Sequence, residues 1–270
     1  MKTLIKNELD RSLKNKWFYI TILFSTAIVF YEMWVNIIPV RESMDIYIGT
    51  PDYPIPNAYG RWMEVWNSKA SQLFHFIFPL LACIPYAMTI YTDVESKYFY
   101  NIIVRVDKKK YFLSKLLTQF MTGFLIVIFP LMLSFVLTLA ILPMGVPLPS
   151  MNYAMGPLDI FSVSFYKNPF LTYIVVIILE AILFGIISCL SYTFAYLLKN
   201  GIMVMISAFT VYFFESVISP LIGNRYTMIL GSYVADLKKE AAITLLIEVA
   251  VIIVIVIITY YLRSNAKNEL

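Results

Sequence analysis

The 270-residue chain is expected to be an all-α integral membrane protein, because it is too apolar for water, sparsely charged and built around six long apolar runs. Apolar residues make up 60% of it and charged residues 14%, where soluble domains have about 45–50% and about 25%. Mean hydropathy is +0.76. A soluble globule and a disordered chain are both excluded. The apolar runs are continuous rather than alternating, which excludes a β-barrel. Helices remain, since lipid offers no partner to an unpaired backbone group.

A crossing helix needs about 20 mostly apolar residues. Six runs qualify: 17–37, 74–91, 112–142, 170–198, 202–219 and 241–262. Together they make residues 1–270 a single transmembrane domain. The basic start before 17–37 has the look of a signal peptide, but that run is too long and no small-residue cleavage site follows. Two-thirds of the Lys and Arg fall on the side that holds both termini, including Lys2, Lys6, Arg11, Lys14, Lys108, Lys109, Lys110, Lys115 and Arg263. The positive-inside rule then puts both termini in the cytoplasm. The net charge of +4 is a topology signal, and no nucleic-acid partner is expected.

The segments between spans carry their own patterns. Residues 2–15 place Ile5, Leu9 and Leu13 four apart beside Leu4, an amphipathic helix suited to the membrane surface. Residues 92–111 form the one substantial cytoplasmic loop. There, Thr92-Asp93-Val94-Glu95 reads as a capping box opening a short helix. Tyr98, Phe99, Ile102, Ile103 and Val106 follow at helical spacing, and Asp107 is a good N-cap for the next span. That apolar face lies on lipid or docks into a partner. On the other side, Pro39, Pro51, Pro54 and Pro56 break 38–70, and Tyr59, Trp62, Met63 and Trp66 suggest a short helix at the headgroups. Residues 143–169 are a second outer loop. Residues 220–240 are too short and broken to span, and either re-enter or lie flat. Lys199-Asn200-Gly201 reads as a tight turn with glycine past a helix end.

Chemistry is sparse. There is no phosphate loop, GxSxG, HExxH, CxxC or GxGxxG. Cys83 and Cys189 lie in apolar stretches and suggest neither disulfide nor metal site. His75, with no acid three or four residues away, reads as an interface residue. With no Lys or Asp expected at depth, no enzyme is expected, and no cofactor or metal is assigned to this chain. Four acids do lie in spans: Glu32, Glu180, Glu215 and Glu248. Either they form an outward-facing vestibule for a cationic cargo, with Glu180 the deepest, or they are protonated, snorkel to the outer interface or hydrogen-bond between helices. Pro79, Pro85 and Pro130 can kink spans two and three.

The basic amphipathic start, the six spans and the loop reading Tyr91-Thr92-Asp93-Val94-Glu95-Ser96-Lys97, Ile102-Ile103-Val104-Arg105 and Tyr111-Phe112-Leu113-Ser114-Lys115 resemble the permease subunits of ABC transporters of the ABC-2 type, especially small bacterial exporters. The architecture covers the whole chain, and the motif covers 91–115. Where the family often has Gly after the acidic position, this chain has Ser96-Lys97-Tyr98. The resemblance implies that 2–15 is a connecting helix, and that 93–106 holds a coupling helix seated in a separate ATP-binding subunit. Tyr98, Phe99, Ile102 and Ile103 would be its contact face, with Arg105 nearby. Residues 220–240 would be re-entrant elements before span six. It further implies two ATPase copies holding ATP and Mg, and a second permease, identical or homologous. The setting would be the bacterial cytoplasmic membrane, and the cargo a peptide, as in antimicrobial peptide export or immunity, or an amphipathic, lipid-like molecule. The competing classes are an ion-gradient-driven secondary transporter and a non-transporting membrane anchor or sensor.

Overall fold

The computed structural model describes residues 1–47, 55–63, 68–145, 155, 159–221, 234 and 237–265, without the side chains of Tyr47, Asn101 and Ile103. Among them, six helical segments are long and apolar enough to cross a membrane: Lys16–Glu42, Lys69–Glu95, Lys108–Ile141, Pro169–Phe194, Gly201–Leu221 and Lys239–Asn265. The described residues hold no strand, only an isolated bridge between Asp159 and Lys238. This is an all-α, multi-pass membrane architecture.

Helix α1 is Lys2–Leu13, and α2 is Lys16–Glu32. Asn15 separates them and caps α2, its side chain accepting from the Trp17 amide and donating to the Pro85 carbonyl at 2.9 Å. The first span then widens into a π-helical turn, Met33–Ile37, and continues as α3, Ile38–Glu42. Pro39 therefore does not break the helix. It stands in the first turn of α3, directly after the π turn, and π turns and prolines both interrupt the regular i→i−4 ladder. Short helices α4 (Met44–Tyr47) and α5 (Ala58–Arg61) follow.

The long helices are α6 (Lys69–Glu95), α8 (Lys108–Ile141), α10 (Pro169–Ser188) with its one-turn extension α11 (Leu190–Phe194), α12 (Gly201–Leu221) and α13 (Lys239–Asn265). Between them lie α7 (Phe99–Ile103) and α9 (Ser162–Lys167). Helices α6 and α8 are central: α6 packs on α2, α8, α10 and α12, and α8 on α1, α2, α6 and α10. Helix α13 is the least buried span, lying against α8, α10 and α11. Small residues set the closest approach, as membrane helix pairs require. A Cβ at Gly123 of α8 would run into the Ser188 side chain of α10, and one at Gly185 into Phe120.

Sequence expectations fail instructively at the loops. The aromatic turn at α5 does not lie on headgroups: Tyr59, Trp62 and Met63 are buried, and Trp62 packs on Phe135 and Tyr173 at 5.3 and 4.8 Å. The Tyr173 hydroxyl donates to the Tyr59 carbonyl at 2.5 Å, so the turn plugs one end of the bundle. Trp66 lies outside the described residues, as does most of 220–240. Thr92-Asp93-Val94-Glu95 opens no helix. It is the last turn of α6, and the Thr92 hydroxyl donates to the Thr89 carbonyl instead. Gly201 does not close a helix either. It begins α12, with Asn200 accepting from the Ile202 amide, and a Cβ there would meet Met88 and Tyr91.

Helix α6 ends in a Schellman motif. The Tyr98 amide donates to the Asp93 carbonyl at 3.1 Å, and the Lys97 amide to the Val94 carbonyl at 3.2 Å. The motif requires a left-handed residue, and Lys97 supplies it at φ 55°. A Cβ in that region is strained and glycine is not. Lys97→Gly is therefore expected to raise stability by about 0.5–1 kcal/mol, after allowing for the greater freedom of glycine in the unfolded chain, and Lys97→Val to lower it. Thermal unfolding of the purified variants in detergent checks both signs.

Candidate functional site

The most concentrated chemistry lies at the end of the bundle that carries the N-terminal helix. Three elements meet there: α1, the last turn of α6 and the first turns of α8. Their sequences explain why they meet. Within the apolar third span, Tyr111, Ser114, Lys115, Thr118 and Thr122 recur three or four apart, and all are buried. That is an inward-facing polar stripe. Helix α1 offers the matching face, Glu8 and Ser12, also buried. Ser12 and Thr122 share a hydroxyl hydrogen bond of 2.8 Å.

At the centre is Lys115, 1% exposed. Its ammonium donates to Glu8 Oε2 at 2.8 Å and to Asp93 Oδ2. Arg11 closes the set. Its guanidinium forks onto both Asp93 oxygens at 2.9 Å and reaches Glu8 at 3.1 Å. The Tyr86 hydroxyl donates to Glu8 Oε2 at 2.6 Å. The Lys115 ammonium lies over the Tyr86 and Tyr111 rings, 5.5 Å from each centroid. Two carboxylates thus face two cations, and the net charge is zero. The hydrogen bond to Asp93 pushes the Arg11 guanidinium further up in pKa, against the opposing pull of burial, so its charge is secure.

Burying these ions costs several kcal/mol each, and only such complete pairing offsets it. The expectation of no buried Lys or Asp is therefore wrong: the span ends bury one of each, as partners. The amphipathic start also differs from the expectation. Helix α1 turns its charged Glu8–Ser12 face into the bundle and keeps Leu4, Ile5, Leu9 and Leu13 half-buried beside it. Glu8 and Tyr86 carried no recognisable motif. The usable signal was the polar stripe through Lys115.

The residues expected to contact an ATPase flank this cluster. The Tyr98 ring lies under Arg11, 5.8 Å from its guanidinium carbon. Phe99 turns inward, with its ring 6.2 Å from Phe112. Ile102 is half-buried and Arg105 is exposed. The Ile103 side chain lies outside the described part. Val104, at 85% exposure, is the most outward apolar side chain of the segment among the described residues.

The membrane acids sit toward the other end. Glu32 and Glu180 are fully buried. Glu32 accepts from Asn36 of its own π turn and from Ser68 at the start of α6, both at 2.7 Å. Glu180 accepts from the Val234 amide at 3.0 Å. His75 of α6 is not an interface residue. It is fully buried, with Nε2 4.0 Å from Glu180, an acid distant in sequence. Glu215 and Glu248 are half-buried, and the two carboxyls lie close enough across spans five and six to interact. All four acids thus have contacts that join elements. Cys83 and Cys189 are free and buried, and no metal-binding group of His, Cys, Asp or Glu occurs among the described residues.

Comparison with family models, with curated proteins and with solved structures finds no match to this chain.

Lys115→Met would strand Glu8 and Asp93 in the interior with only Arg11 to answer them. A loss of about 3–5 kcal/mol is expected, as for other broken buried pairs. Combining it with Glu8→Gln restores the balance of charge and should recover most of that loss. Unfolding midpoints of the single and double variants measure the difference. Equal midpoints for Lys115→Met and the unmodified protein would show that the cluster does not hold these helices together.

Proposed function

We propose that this chain is the membrane subunit of an ATP-driven exporter of the ABC-2 type, non-catalytic itself and powered by a separate ATP-binding subunit. In this reading it lies in the bacterial cytoplasmic membrane with both termini inside. Two copies of the ATPase hold ATP and Mg, and a second permease completes the path. The cargo is a peptide or an amphipathic, lipid-like molecule.

One arrangement supports the reading beyond the sequence resemblance. The short helix α7 links the two central spans, and just before it the buried cluster joins α1, α6 and α8 through Asp93, with Tyr98 against Arg11. A push on α7 from outside the membrane would be passed to all three, because breaking the cluster costs more than moving it. Val104 and Arg105 stand outward on that segment, where a partner groove would receive them.

Purification together with candidate ATP-binding subunits of the source genome tests this. The intact chain is expected to retain such a subunit, and Val104→Asp with Arg105→Glu to reduce retention by about tenfold or more. Both residues are exposed, so the variant should still fold, which its unfolding midpoint verifies. A second reading, a gradient-driven transporter, draws on His75 beside Glu180 and on Glu215 beside Glu248, since ionisable groups within spans mark proton paths in pumps. Transport by the chain alone in vesicles carrying only a proton gradient would favour it and overturn the first.

A further inference from the structure

A cleft of about 530 Å³ opens between α1 and the α7 segment, beside the ion cluster. Its walls divide by chemistry: Leu4, Tyr98 and Ile102 supply apolar surface, and Asp10, Arg11 and Lys14 supply charge. Arg11 is already committed to Asp93 and Glu8. Asp10 and Lys14 are in no ion pair among the described residues. The cleft thus offers one spare anion and one spare cation above an apolar floor.

Its depth is fixed by the chain on either side. Helix α1 ends at Leu13, and the first span begins at Lys16. Tyr98 stands three residues past the end of the second span at Glu95. Both walls therefore lie at the level of the lipid headgroups.

We infer that this cleft binds the headgroup of a zwitterionic phospholipid bearing a primary ammonium. Lys14 and the outer edge of Arg11 take the phosphate, and Asp10 takes the ammonium. Leu4 and Ile102 cover the glycerol and the first methylenes. A primary ammonium donates hydrogen bonds to a carboxylate and a quaternary one cannot, which favours an ethanolamine over a choline headgroup. A headgroup without a cation leaves Asp10 facing the phosphate unanswered. The inference does not depend on what drives transport or on which side of the membrane holds the termini.

Native mass spectrometry tests it. The full-length protein is purified in mixed micelles with equal amounts of phosphatidylethanolamine, phosphatidylcholine and phosphatidylglycerol. The ethanolamine lipid is expected to be retained about fivefold over each of the others, the scale of one charge-assisted contact at a partly exposed site. Asp10→Asn should erase that preference, and Lys14→Gln should lower retention of all three. Phosphoethanolamine alone should not bind measurably, because it lacks the part that Leu4 and Ile102 cover. Equal retention of the three lipids, a preference for the glycerol lipid, or an unchanged preference in Asp10→Asn would each overturn the assignment. Both variants lie outside the buried cluster, and circular dichroism confirms that they fold.

Discussion

The buried ammonium of Lys115, held between Glu8 and Asp93, is the constraint on which one whole end of this molecule is arranged. A cation this deep is tolerated only where opposite charge and hydrogen-bond acceptors surround it. That requirement draws an N-terminal helix out of the membrane surface and into the bundle. It fixes where the second span must end, because Asp93 has to lie in its last turn. It also sets how far the third span is inserted, because Lys115 stands two turns inside it. Arg11 and Tyr86 then complete the contacts that the two carboxylates need.

The opposite end is organised differently. There the joints are dispersed hydrogen bonds rather than one compact cluster of two carboxylates and two cations. Ser68 joins the first two spans through Glu32, and Glu180 reaches the backbone beyond the fifth span. Around them stand aromatic contacts, with Trp62 wedged against Phe135 and Tyr173. One end built on a charged cluster and one built on dispersed polar and aromatic contacts make an asymmetric bundle.

The number and approximate placement of the spans were legible in the sequence, because a continuous apolar run has one structural solution in lipid. The caps at Asn15 and Asp107 are local, and of these Asp107 was read directly. What stayed hidden depends on contacts distant in sequence. Asp93 looked like an interior position of a capping box formed by Thr92 and Glu95, yet its partners are Arg11 and Lys115. His75 looked isolated because its acid, Glu180, lies on another helix. Tyr59 and Trp62 looked interfacial because aromatic residues favour headgroups, and nothing local revealed the hollow they fill between α8 and α10. Lys115 itself was counted as one more positive charge at a span end. Its polar neighbours at helical spacing were the overlooked sign that it points inward.

The bend after Glu95 has a mechanical consequence. A residue with a side chain has a single narrow basin at positive φ, where glycine has several. With Lys97 in that basin, the elbow joining the second span to the segment beyond it is stiff. Torque applied at the tip would be delivered to the span rather than absorbed as backbone rotation.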